Sequence, residues 1–253
     1  MQSLRHAQLK TARALEHLEA LETELKIFYD AKPYIITRSD DADSGRHVVR
    51  VQMKDASDRT AILAGDFVHN LRCALDHAIF SLAVYATGDI PGTRLQWPVL
   101  ETRNDKTLRL QTAGIPSDAL AIIETLQPYH EGPDDAFKRH RLWQLHKLDI
   151  IDKHRRVAIG VHGLTCHFPH AVNPRSWEIE KLELSDGFEV SLPPVAATLM
   201  MIPDLSPGVL FGDEAEGVTL NFDQLGGLYT FVRDEVLPRF TRFFHAGDSS
   251  AVR

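Results

Sequence analysis

A seven-residue repeat at the start of the chain constrains the fold more than any other feature of the sequence. Apolar or small side chains recur in two interleaved series, Leu4, Thr11, Leu18 and Leu25, and Ala7, Ala14, Leu21 and Phe28. This spacing is typical of a long helix with one apolar seam, which a second helix has to cover. The sequence therefore predicts a helical bundle that begins with this helix. A homodimer through the N-terminal helix is one way to cover the seam.

Hydrophobic periodicity and turn residues predict the rest of the secondary structure. Helices are expected over 58–85, 117–126, 135–156 and 224–244, where apolar side chains recur every three to four residues. Strands are expected over 34–37, 47–53, 157–161, 177–184, 188–192 and 218–222, where apolar and polar residues alternate. Residues 87–116 are expected to be irregular, and Ser185-Asp186-Gly187 is expected to form a hairpin turn.

These elements predict an α+β fold, with a helical bundle of about four to five helices, an N-terminal β-hairpin and a C-terminal antiparallel sheet. We expect a single domain over residues 1–253, because the terminal helices would otherwise lack apolar partners. Its helical core would comprise about residues 1–156 and 224–245, and its β-rich segment about residues 157–222.

The composition limits the classes of function. A net charge of −7 argues against broad, non-specific binding of nucleic acids. The 2 cysteines are too few for a disulfide framework. No apolar run reaches the roughly 18 residues that a membrane-spanning helix needs. The sequence therefore predicts a cytoplasmic protein with no membrane partner and no cofactor.

Two short segments concentrate polar side chains inside predicted helices. They are residues 69–77, HNLRCALDH, and residues 146–155, HKLDIIDKHR. Polar groups at this density beside a core must be paired with one another, bound to a ligand or catalytic. The candidate site residues in the two segments are His69, Asn70, Arg72, Asp76, His77, His146, Asp149, Asp152, Lys153, His154 and Arg155.

The helical spacing of the two segments predicts how they meet. Each segment carries a line of polar residues at i, i+3 and i+7, which follows one face of a helix. If the two helices pack antiparallel, Arg72 falls opposite Asp149, and Asp76 falls opposite His146. Both pairs would be charge-complementary and hydrogen-bonded. We therefore expect the two segments to form one site.

Three kinds of function fit these residues. The first is a non-catalytic binding or scaffold protein, in which a buried His/Asp/Arg network fixes the register of the helices. The second is a metal-dependent hydrolase, because histidine and aspartate are ligands for zinc, manganese and iron. The chain has no HExxH motif to support that second function. The third is metal-free acid–base cleavage of a phosphodiester.

The third function is suggested by a resemblance. Arg72 and His77, in the spacing R-x4-H, resemble the motif of HEPN-type helical ribonucleases. The resemblance implies a composite site between two protomers, which cleaves RNA through attack of the 2′-hydroxyl group without a metal. It implies that His77 transfers protons, that Arg72 stabilises the phosphate charge, and that RNA and a second copy of the chain are partners. The chain departs from the family in its β structure and in having Cys73 after the arginine.

The two segments together also resemble a group of uncharacterised bacterial proteins with HNLRxxLDH and IDKHR segments. Gln127-Pro128-Tyr129 fits the same resemblance, which spans about residues 60–156. It implies that both segments belong to one site, and it implies no activity. Cys73, although it lies inside the first segment, is interpreted as a small core residue of its helix.

Overall fold

The computed structural model describes residues 3–41, 46–89, 94–154, 159–164, 189–192 and 207–244, and these form a mostly helical α+β structure. The α-helices are α1 (Arg5–Asp30), α2 (Asp58–Thr87), α3 (Asp105–Gln111), α4 (Ser117–Thr125), α5 (Arg141–His154) and α6 (Phe222–Thr230). The strands are β1 (Tyr34–Asp41), β2 (Arg46–Met53), β3 (Ile159–Leu164), β4 (Glu189–Leu192), β5 (Pro207–Asp213) and β6 (Val218–Leu220). In these ranges, no helix combines the length and the apolar character needed to cross a membrane.

The apolar seam of α1 is covered inside the chain, mainly by α2. The two helices run antiparallel, since His6 lies beside His77 near one end and Glu24 pairs with Arg59 near the other. The buried residues of α1 are Ala7, Thr11, Ala14, Leu18, Leu21 and Leu25. Because the chain itself removes this surface from water, the seam gives no support to a homodimer through the N-terminal helix.

Helix α2 is the central helix of the bundle. The Ser57 hydroxyl caps its first turn by accepting a hydrogen bond from the Thr60 N–H at 3.3 Å. Gly88, in the left-handed region at φ 74°, ends it. Between these caps α2 packs against α1 on one side and α5 on the other, and Phe67 and Leu75 are fully buried. Polar residues of α2 therefore meet a neighbouring helix on either side.

The strands form two antiparallel sheets, in the orders β1-β2-β4 and β3-β5-β6. In the first sheet Tyr34 lies opposite Met53, and Asp41 lies opposite Arg46. The assignment of β4 to a C-terminal sheet is wrong, because β4 pairs with β2. Strand β5, at the centre of the second sheet, was not expected from the sequence. The strand predicted over 177–184 and the turn predicted over 185–187 lie outside the described residues.

Three helical predictions need correction. The segment 87–116 contains α3, which begins where the Asn104 side chain accepts a hydrogen bond from the Thr107 N–H at 3.0 Å. Helix α5 starts only after His140, because that residue has an extended backbone and a short 3-10 turn precedes it. The last helix is α-helical only as far as Thr230. It continues as a π-helix over Phe231–Val236 and as a 3-10 helix over Leu237–Phe244, which contains Pro238, a residue with no N–H to donate.

Candidate functional site

The two polar segments lie on α2 and α5, which pack antiparallel. His69 contacts Asp149, and further along α2 the positive charge of Arg72 helps to lower the pKa of His146 on α5. The predicted pairs are nevertheless wrong. In the described part of the chain no ion pair joins Arg72 to Asp149, and Arg72 bonds Asp76 on its own helix. The predicted register is displaced by about one helical turn from the observed one.

Arg72 lies in the interior, with only 4% of its surface exposed. Its guanidinium donates to Asp76 Oδ1 at 2.8 Å and to the Trp97 carbonyl at 2.6 Å. Asp76 Oδ1 also accepts a hydrogen bond from the Trp97 backbone N–H at 2.7 Å. Arg72 and Asp76 therefore satisfy both backbone polar groups of Trp97, whose indole is fully buried.

Gln127 holds the same irregular segment from the other side. Its buried amide accepts a hydrogen bond from the Leu100 N–H and donates one to the Pro98 carbonyl, both at 3.1 Å. Irregular backbone beside a core needs such partners, because no sheet or helix supplies them. We call Arg72, Asp76 and Gln127 the backbone brace. The candidate catalytic residue Arg72 is thus committed to internal hydrogen bonds.

Asp149 joins α5 to α2 at the solvent edge of the helix pair. Its carboxylate is buried, with Oδ1 3.1 Å from His69 Nδ1 and Oδ2 accepting a hydrogen bond from Lys153 Nζ at 2.5 Å. The second ring nitrogen of His69, Nε2, lies 3.4 Å from Cys73 Sγ. Cys73 is half-buried, so its interpretation as a plain core residue is wrong. The four side chains form one connected series of contacts.

His146 is a neutral histidine at the α2–α5 interface. Its Nδ1 is buried without a hydrogen-bond partner. The pKa of His146 is lowered to about 4, mainly by burial and secondly by the neighbouring Arg72 guanidinium. Protonating this side chain would therefore place a second positive charge beside Arg72 in the interior.

We expect the stability of the protein to fall as the pH decreases from about 6.5 to about 4. In the unfolded chain His146 takes up a proton below its ordinary pKa of 6.5, whereas the folded protein resists protonation until about 4. This difference favours the unfolded state by about 2–3 kcal/mol at the acidic end of the range. Urea unfolding at several pH values measures it.

The test variant for this prediction is His146→Gln, and its control is His130→Gln. His130 is exposed on the surface. The decline in stability between pH 6.5 and pH 4 should be smaller in His146→Gln and unchanged in His130→Gln. Other histidines with lowered pKa values contribute equally to all three proteins, so the comparison isolates His146. An equal decline in the three proteins would contradict the prediction.

The remaining residues of the second segment have different surroundings. The Asp152 carboxylate fills the space that a Cβ at Gly65 would occupy, and burial raises its pKa. His154 is exposed at the end of α5, and Arg155 lies outside the described residues. Within the described part of the chain, no group of three or more His, Cys, Asp or Glu side chains could hold a metal ion.

His77 lies on the other side of α2, in an open groove against α1. The groove has a volume of about 380 Å³. The His6 and His77 rings lie side by side in it, with their centroids 5.9 Å apart. Lys10 Nζ is held by the buried Asn70 side chain, donating to its Oδ1 at 3.2 Å. The residues that line the groove are His6, Leu9, Lys10, Arg13, Asn70 and His77.

The groove combines positive charge with titratable imidazoles. Among the described residues, neither His6 nor His77 has a hydrogen-bond or ion-pair partner for its ring nitrogens. Burial lowers the pKa of His77, and the charges of His6 and Lys10 lower it further. His77 is therefore uncharged at neutral pH, with a ring nitrogen available to accept a proton.

The sequence reasoning missed His6, Lys10 and Arg13. Their signal is a spacing of i, i+4 and i+7, which lines basic side chains along one face of α1. That line has no evident meaning alone, because surface helices often carry basic residues. It becomes a candidate site only where α2 brings His77 against it.

The predicted site therefore divides into two parts, which face different neighbours of α2. The backbone brace and the Asp149 contacts lie towards α5, and the basic groove lies towards α1. Comparison of the chain with protein-family models, with curated proteins and with solved structures found no match.

Proposed function

We propose that the protein cleaves RNA without a metal ion, with His77 and His6 as the acid–base pair of the groove. One observation carries the proposal. Two imidazoles without hydrogen-bond partners among the described residues lie 5.9 Å apart in an open groove that also presents Lys10 and Arg13. Acid–base groups beside fixed cations are what metal-free cleavage of a phosphodiester requires.

The proposed reaction is an internal transfer at phosphorus. His77 accepts the proton of the 2′-hydroxyl group, whose oxygen attacks the adjacent phosphorus atom. The bond from phosphorus to the 5′-oxygen breaks, and His6 donates a proton to that leaving oxygen. The products are a 2′,3′-cyclic phosphate and a 5′-hydroxyl group. Lys10 and Arg13 stabilise the negative charge that builds on the phosphate oxygens.

This assignment keeps the role of His77 that the HEPN resemblance implies and gives the role of Arg72 to other cations. Arg72 is held in the backbone brace, so it cannot reach a phosphate while the fold is intact. Lys10 and Arg13 line the open groove instead, and the ion pair of Arg13 with Glu16 lies on the exposed surface, where a phosphate can replace the carboxylate. Since the two histidines and two cations assigned to the reaction all belong to one chain, the proposed reaction does not depend on a second copy.

The direct test incubates the protein with a short single-stranded RNA and with the DNA of the same sequence, with and without EDTA. We expect cleavage of the RNA alone, because DNA lacks the attacking 2′-hydroxyl group. Cleavage should persist in EDTA and leave 2′,3′-cyclic phosphate ends. Cleavage of the DNA, or loss of RNA cleavage in EDTA, would contradict the proposed reaction.

Substituting both groove cations should weaken RNA binding. For the double variant Lys10→Gln/Arg13→Gln we expect roughly a tenfold loss of affinity, because two phosphate contacts are removed. The slope of log affinity against log salt should fall by roughly one for each residue. Lys106→Gln, an exposed lysine on α3, is the control and should bind as the wild type does. Equal affinities and slopes for all three proteins would place RNA outside the groove.

A second candidate function is a non-catalytic scaffold or binding protein. The backbone brace favours it, because Arg72, Asp76 and Gln127 hold protein backbone rather than an open site. This function would lead if the wild-type protein failed to cleave RNA. A metal-dependent hydrolase has no supporting group of ligands in the described ranges.

A further inference from the structure

The contacts of Cys73 have the order of a nucleophile, a base and an acid that positions the base. Cys73 Sγ lies 3.4 Å from His69 Nε2, and His69 Nδ1 lies 3.1 Å from Asp149 Oδ1. A carboxylate at Nδ1 favours the tautomer in which that nitrogen carries the proton. The nitrogen that faces the thiol is then free to accept a proton.

The base is held firmly while its surface remains accessible. Asp149 is 1% exposed and is fixed from its other oxygen by Lys153. The His69 side chain is 45% exposed, and Cys73 is half-buried beside it. A small molecule can therefore approach the thiol from solvent at a position where the base is already oriented.

We propose that Cys73 forms mixed disulfides with low-molecular-weight disulfides, with His69 as the base and Asp149 as the residue that positions it. The Cys73 thiol gives its proton to His69 Nε2, and the sulfur attacks one sulfur atom of the disulfide. The disulfide bond of the small molecule breaks as the new sulfur–sulfur bond forms. The leaving thiolate takes the proton from His69, so the exchange involves no net oxidation.

The surroundings favour disulfide exchange over acyl transfer. Cys73 lies in the middle of α2, where the backbone N–H groups are used by the helix and cannot form an oxyanion site. Disulfide exchange needs no such site, because the departing thiolate carries the negative charge. Two positive charges, from Lys10 on α1 and Lys153 on α5, and two negative charges, from Asp76 and Asp149, act on the Cys73 thiol, so the surroundings favour neither sign of charge on the partner.

The resting thiol needs its base. Burial raises the pKa of Cys73, and the carboxylates of Asp76 and Asp149 raise it further, while Lys10 and Lys153 oppose them. At neutral pH the thiol therefore keeps its proton until a reaction partner is present. Removal of His69 should then slow the reaction at neutral pH and leave it unchanged at a pH where the thiol ionises unaided.

The experiment uses the full chain with Cys166→Ser, so that Cys73 is the only cysteine. Glutathione disulfide is the first probe, and intact mass reports the mixed disulfide over a range of pH. We expect His69→Gln to react at least tenfold more slowly at neutral pH. We expect the two rates to converge at alkaline pH. Equal rates at neutral pH would overturn the role of His69.

Two further measurements complete the test. His130→Gln, an exposed histidine elsewhere on the surface, should react as the parent does, and melting curves should show that all variants are folded. Cystamine, a cationic disulfide, should also form the mixed disulfide, because Lys10 and Lys153 are opposed by Asp76 and Asp149 at the thiol. Failure of the folded parent protein to react with either probe would overturn the site itself.

Discussion

Arg72→Met is expected to lower the free energy of unfolding by about 2–4 kcal/mol. Methionine keeps the apolar length of the side chain but cannot donate to Asp76 or to the Trp97 carbonyl. The Asp76 carboxylate and the Trp97 carbonyl then lose the guanidinium as a donor, and water reaches this region too poorly to replace it fully. The expected loss stays below the maximum for a buried ion pair, because the Asp76 side chain is 37% exposed. Urea unfolding followed by circular dichroism measures the change.

The matched control is Arg59→Met on the same helix. Arg59 forms an ion pair with Glu24 at 2.7 Å, but its side chain is 66% exposed. Surface pairs of this kind contribute about 0–1 kcal/mol. A loss for Arg72→Met no larger than the loss for Arg59→Met would show that the backbone brace does not stabilise the fold as its geometry implies.

Local patterns predicted the helical part of the fold well. The repeat in α1 and the apolar stripe of α2 each specify a helix without information from the rest of the chain. Strand β4 was assigned to the wrong sheet, because its pairing with β2 joins segments more than 130 residues apart in sequence. Strand pairing over such a distance leaves no local trace in the sequence. The N-cap at Asn104 is a local signal, and it was overlooked because turn residues dominate its segment.

The two polar segments lie on helices that pack together, as expected, but the contacts between them were predicted wrongly. An antiparallel packing of α2 and α5 follows from the polar lines, yet a shift of one helical turn exchanges one set of charge-complementary pairs for another. His69 and Asp149 are therefore partners, whereas Arg72 donates a hydrogen bond to the Trp97 carbonyl. That backbone comes from an irregular segment, whose course the sequence pattern does not specify. The groove required the packing of α1 on α2, which is a property of the fold.

Removing the imidazole of His77 should cost more activity than any other single change in the groove. In His77→Gln we expect the rate of RNA cleavage to fall by about 100-fold or more, because general acid–base catalysis contributes that much. Glutamine keeps much of the size of histidine, so the melting temperature should change little. Because burial lowers the pKa of His77, the loss of rate that accompanies protonation of this base should occur below about pH 6.5.

The control for this variant is His17→Gln. His17 lies at the same α1–α2 interface, 3.8 Å from Asp66, but it does not line the groove. The His17→Gln protein should cleave RNA at the wild-type rate. With this control, the result tests the imidazole in the groove and not the general loss of a histidine between the two helices.

The most direct measurement of the central claim is therefore the rate of EDTA-resistant RNA cleavage by the wild type, His77→Gln and His17→Gln. The account predicts cleavage by the wild type and His17→Gln, and a loss of about 100-fold or more in a folded His77→Gln protein. Wild-type activity in His77→Gln, or no cleavage by the folded wild type, would contradict it.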